Sequence, residues 1–177
     1  PGSEGRPGGQ MNTAKKIGLI SVATSSWLLV PMRFYIGYIF LVACIHKIVH
    51  PEMFAVDVAT YQILPLYLIN LMAIVLPWIE LVAALMLILG FRARAGAVLT
   101  AGMMLVFIVA ISVALSKGLQ MSCGCFASQG AEEDPISMAT VFRDLGWLAV
   151  SLWIVFFDRK SFGLDYLLAR FAQRRSA

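Results

Sequence analysis

Apolar side chains dominate four long stretches of this chain, at about residues 27–49, 66–91, 95–115 and 136–157, with short polar breaks between them. A helix rises about 1.5 Å per residue, so roughly 20 residues cross a hydrocarbon layer, and each stretch is long enough. Apolar and polar positions nowhere alternate with a period of two, which excludes a membrane β-barrel. The pattern predicts an all-α membrane protein, a four-transmembrane-helix bundle occupying residues 17–158. Residues 1–16 open on a run rich in Gly and Pro and read as a disordered tail or an expression remnant. A secretory leader is not expected, because the apolar run from Ile17 to Val49 is too long and has no small-residue cleavage site. Residues 159–177 place Leu164, Leu167, Leu168 and Phe171 at helical spacing, with Arg170, Arg174 and Arg175 on other faces. That arrangement suits a basic amphipathic helix lying on an anionic leaflet.

Composition sharpens this picture. Hydrophobic residues make up 60% of the chain and charged residues 14%, against about a quarter charged in soluble domains, so a water-soluble globule is excluded. The net charge of +4 does not indicate nucleic acid, because the basic residues cluster at the ends of apolar runs. Lys15, Lys16, Arg92, Arg94, Arg159 and Lys160 all fall on one side of the bundle. The other side carries Lys47 and Lys117 against His50, Glu52, Asp57, Glu132, Glu133 and Asp134. By the positive-inside rule both termini are cytoplasmic, in a bacterial inner membrane, with the 116–135 loop on the periplasmic side.

That loop carries Cys123 and Cys125 around Gly124. In an oxidising compartment such a pair forms a disulfide or exchanges one. The ring closed by Cys-Gly-Cys is very small, which points to a strained, easily reduced bond; a stapled turn and two unpaired thiols are the structural alternatives. His46 and His50 share that side and would complete a Cys2His2 zinc set, although nothing in the spacing requires a metal. Cys44, in the outer part of the first span, either relays to the loop pair or serves as a small hydrophobe.

Ionisable residues at membrane depth mark functional sites by default. Arg33 in the first span and Glu80 midway through the second are expected to pair, either to join two helices or to act on a substrate. Lys47, Arg143 and Asp144 form an outer set beside the cysteines. Its basic members either stabilise a thiolate or snorkel to the interface, with Lys47 pairing Asp144.

The run from Arg33 to Gly37 (Arg-Phe-Tyr-Ile-Gly), then Phe40, His46, Lys47 and Pro51, resembles the opening of the DoxX-like membrane proteins. Tyr61 to Pro65, Leu76 to Glu80 and Gly90 continue that pattern. The loop from Cys123 to Phe126, followed by Arg143 and Asp144, is similar to the MauE branch of the group. The resemblance covers about residues 33–157. It implies a four-helix membrane protein tied to redox and thiol chemistry. MauE-like proteins are associated with maturation of methylamine dehydrogenase beside a thioredoxin-like periplasmic protein, and DoxX relatives with thiosulfate–quinone oxidoreduction and oxidative-stress complexes. One departure stands out: where the family's loop continues Cys-Gly-Cys-Phe-Gly, this chain has Ala127, with Gly130 and the acidic Glu132, Glu133 and Asp134 later.

Two functions are expected on these grounds. In the first, Cys123 and Cys125 exchange a disulfide with a thioredoxin-like partner and electrons pass inward, with a quinone among the helices as the acceptor. In the second, the chain is a non-catalytic membrane subunit that scaffolds a larger redox complex. A transporter is disfavoured, because no inverted repeat or paired half-helices are visible.

Overall fold

The computed structural model describes residues 26–119, 121 and 136–158. Five helices follow one another: α1 (Ser26–Val49), α2 (Pro51–Thr60), α3 (Leu66–Leu89), α4 (Ala93–Ser116) and α5 (Met138–Phe157). Four of them, all but α2, are long and apolar enough to cross a membrane. The protein is thus an all-helical, multi-pass membrane protein. Helix α1 packs on α3, α3 on α4, α4 on α5, and α5 closes back on α1. Large apolar side chains such as Phe34, Val82, Leu105 and Phe156 face outward. Hydrocarbon tails are as apolar as leucine, so such a surface is at ease in a bilayer.

Small residues set the distances between these helices. Ala83 and Ala84 of α3 and Ala93 and Ala97 of α4 are fully buried, beside Ile36, Leu87 and Ile154. A Cβ on Gly37 would stand 2.7 Å from Ile88 Cγ1 and 3.2 Å from the Ala84 carbonyl, so α1 meets α3 nearly backbone to backbone. Gly96 does the same for α4, with Met86 Cβ at 3.0 Å and the Ala83 carbonyl at 3.1 Å. Helices associate in lipid through such close van der Waals approach rather than through hydrophobic burial.

The helix ends follow local chemistry. Gly90 takes a left-handed conformation (φ 65°), and Phe91 donates back to the Met86 carbonyl at 3.1 Å. That stops α3 at Leu89 and turns the chain into α4. Ser137 caps α5, its hydroxyl accepting from the Thr140 amide. Sequence patterning missed α2, whose ten residues are too few and too weakly apolar to read as a span. Its local signature is present nonetheless: Pro51 at the first helical position and Glu52 in the first turn. Pro31 and Pro77 lie inside α1 and α3 without ending either helix.

Candidate functional site

The centre of the bundle holds a closed ion pair. Lys47 Nζ donates to both carboxylate oxygens of Glu80, at 2.8 and 3.0 Å, and the two side chains are 3% and 2% exposed. The Lys47 ammonium also lies 4.9 Å from the Phe54 ring and 5.2 Å from the Phe107 ring, within cation–π range. A hollow of about 20 Å³ adjoins the pair, bounded by Phe40, Ala43, Met104, Phe107 and Trp147. That is room for one water molecule beside two polar partners. Helix α2 matters here because it brings Phe54 over Lys47.

This geometry corrects the pairing expected from depth alone. Arg33 does not meet Glu80; its Nη1 donates to Asp158 Oδ2 at 3.0 Å, with both side chains buried. The cause is the register fixed by Gly37, which sets α1 against Ala84 and Ile88. Glu80 then lies towards the Val49 end of α1, whereas Arg33 lies on the other side of Gly37. Side chains lean towards a helix's N-terminus, so Lys47 reaches back to Glu80 and Arg33 reaches away from it. Lys47 therefore neither snorkels outward nor pairs Asp144. Asp144, fully buried, instead accepts from Arg143 Nε at 3.2 Å. The Arg143 guanidinium is also stacked 4.9 Å from the Trp147 ring, and Trp147 Nε1 donates to the Tyr35 hydroxyl at 3.4 Å.

At the opposite end, α5 is held by two arginines. Arg33 takes Asp158, and Arg94 Nε donates to the Val155 carbonyl at 3.1 Å. Asp158 escapes a sequence reading because it stands beside Arg159 and Lys160 and looks like part of a solvated flank.

Cys44 is fully buried, its thiol 3.2 Å from the Leu41 carbonyl one turn earlier. Cys123 and Cys125 lie outside the described residues, as do Glu132, Glu133 and Asp134. The two ends of their loop are described. The Ile136 amide donates to the Met121 carbonyl at 3.0 Å, and both residues pack against Tyr61, Ile111 and Ala114. The loop thus leaves and re-enters at the end of the bundle that carries α2. His46 and His50 also meet near that end, rings 5.3 Å apart, and among the described residues no three His, Cys, Asp or Glu side chains gather as a metal site. Asp57 of α2 is half-buried, and this burial pushes its carboxyl above the usual aspartate range, against the opposing pull of His46 and Lys47.

The family model described as methylamine utilisation protein MauE matches residues 25–157. A methylamine utilization protein MauE of Paracoccus denitrificans is 32% identical over 124 residues, 70% of this chain and 66% of that protein. The protein of the same name from Methylorubrum extorquens is 32% identical over 127 residues, covering 71% and 62%. That of Methylophilus methylotrophus is 29% identical over 121 residues, covering 68% and 63%. The matched region therefore spans just under two thirds of the length of these curated relatives. No solved structure matches significantly.

Proposed function

The chain belongs to the MauE family, and from that premise we propose that it serves methylamine utilisation as a thiol–disulfide exchanger of the bacterial inner membrane. Its relatives carry methylamine utilization in their names. The wider DoxX-like kinship, the cytoplasmic termini and the periplasmic loop rest on the residue pattern and on the Lys and Arg distribution. The observation that carries the reading is the bond between Met121 and Ile136. It brings together Met121 and Ile136, the two described ends of the segment that contains Cys123 and Cys125, at the end of the bundle that carries α2.

The exchange runs in two balanced steps. A thiolate of a reduced, thioredoxin-like periplasmic protein attacks the Cys123–Cys125 disulfide, forming a mixed disulfide and releasing one loop thiolate. The partner's second thiolate then resolves that bond. The partner leaves oxidised, and Cys123 and Cys125 remain as a dithiol. Return to the disulfide would need a two-electron acceptor, and a membrane quinone would supply that chemistry by taking up two electrons and two protons. The exposed Lys117 is a cation at the loop's end of the bundle that favours a thiolate there, whereas Arg143 is engaged with Asp144 and Trp147. Lys47 is committed to Glu80, and Cys44 packs as a small apolar side chain beneath.

The test traps the thiol redox state by alkylation and mass spectrometry across a series of redox buffers. Structural disulfides typically fall below about −300 mV, and a Cys123–Cys125 bond reducible well above that value is expected. Cys123→Ser or Cys125→Ser then traps the mixed disulfide with the partner. A bond that resists reduction, or two thiols that never pair, leaves the chain as a scaffolding subunit of a redox complex.

A further inference from the structure

A second and larger cavity, of about 450 Å³, lies between α2, α3 and α4 and shares the Phe107 ring with the small hollow beside Lys47. That volume is within the range of about 300–1,000 Å³ at which small-molecule sites occur. Phe54, Met72, Leu76 and Met103 wall it towards the bundle, while Val98 and Val106 flank its mouth and face outward. Among the described residues around it, Tyr61 alone has a side chain able to donate a hydrogen bond.

Gly102, in the middle of α4, lies at the edge of this space. Gly37 and Gly96 bring helices into contact, but a Cβ on Gly102 would meet nothing within 4 Å. Glycine inside a helix is unfavourable relative to alanine, and no close approach compensates for it here. What the missing side chain does is leave the edge of the cavity clear.

The surroundings identify the occupant. Apolar cavities stay dry, so water does not fill this one. An empty void would deprive its lining of dispersion contacts. The mouth opens among outward-facing residues of a membrane span, where hydrocarbon is the solvent. A headgroup, or a quinone ring with its two carbonyls, would bring in more polar atoms than the Tyr61 hydroxyl can match. We infer that the cavity binds one acyl chain of a membrane phospholipid, entering sideways from the bilayer past Gly102 and ending against Phe107. The inference stands whether or not Cys123 and Cys125 exchange disulfides.

Native mass spectrometry of the full chain, purified in detergent with added palmitoyl-oleoyl phosphatidylethanolamine, tests it. The unaltered chain should retain one phospholipid. So should Leu105→Phe, which adds a ring on the outward face of α4 away from the cavity. Gly102→Phe and Val106→Phe, which fill the mouth, should lower the retained fraction at least tenfold. Gly102→Leu makes the same test should the larger side chain prevent folding. Phosphatidylglycerol with the same chains should be retained equally, since the chain and not the headgroup is held. Retention unchanged in the mouth-filling variants, no retention by the unaltered chain, or a quinone held in place of phospholipid would each overturn the assignment.

Discussion

Lys47 and Glu80 are joined head to head inside the bundle, one ammonium within 3.0 Å of both carboxylate oxygens and neither side chain more than 3% exposed. Removing one partner of such a pair strands a charge in a medium that cannot solvate it, at a cost of about 3–5 kcal/mol. Lys47→Met and Glu80→Leu should therefore each lower stability by about that amount. The double variant should recover most of the loss, because both charges go together. Thermal unfolding of the three variants in detergent micelles measures this, and a double variant as unstable as the sum of the singles would refute it.

Arg33 and Asp158 make the corresponding clasp at the far end of α5. A carboxylate at a helix C-terminus opposes the helix dipole, so Asp158 depends on the guanidinium that meets it. Asp158→Asn keeps much of the shape but sets Arg33 beside a neutral amide, and Arg33→Met takes the guanidinium away from the carboxylate. Both should loosen the last turn of α5, where the Asp158 amide donates to the Ile154 carbonyl at 2.9 Å. Amide hydrogen exchange at residues 155–158 should accelerate in both variants while the middle of α4 is unchanged. Equal acceleration throughout the bundle would show that the clasp acts globally.

The four spans were legible because roughly 20 apolar residues in a row have one physical solution in a bilayer. Partner choice was not. Counting residues from the membrane edge places Arg33 and Glu80 about 6 Å apart in depth, a gap that long side chains can bridge. The actual register depends on how closely Gly37 lets α1 approach Ala84 and Ile88, a three-dimensional quantity. Asp158 was hidden by its basic neighbours. Helix α2 was hidden by its length, although Pro51 and Glu52 announce a helix start, and with it went Phe54 and the ring contact over Lys47. Cys44 could be found as a thiol at membrane depth, but its burial could not.

Asp57 should confer a pH dependence of definite sign. Its carboxyl is raised in the folded chain, chiefly by burial, so folding favours the protonated form. Below the unfolded value near 3.8 both states hold the proton and the group costs nothing. As pH rises through that value towards the higher folded one, the unfolded chain ionises first and stability falls. Asp57→Asn removes the charge altogether. It should be more stable than the unaltered chain at pH 7 and indistinguishable from it below about pH 4. Unfolding midpoints at several pH values decide the matter, and a variant equally stabilised at every pH would assign its effect to packing.

Alanine at two glycines should have opposite effects, because the glycines do different things. At Gly37 the new methyl would stand 2.7 Å from Ile88 Cγ1, which can move, and 3.2 Å from the Ala84 carbonyl, which belongs to a helix backbone. Overpacking of this kind costs about 1–3 kcal/mol. Ile88→Ala should restore only part of that loss, since the carbonyl contact persists. At Gly102 the methyl meets nothing, and the gain in helix propensity should stabilise the chain by up to about 1 kcal/mol. A single methyl narrows the lateral cavity without closing it, so the gain should appear in phospholipid as well as in detergent. Should Gly102→Ala instead destabilise the protein only when phospholipid is present, the methyl would be displacing the bound chain. The glycine would then be serving the occupant more tightly than the open space around it suggests.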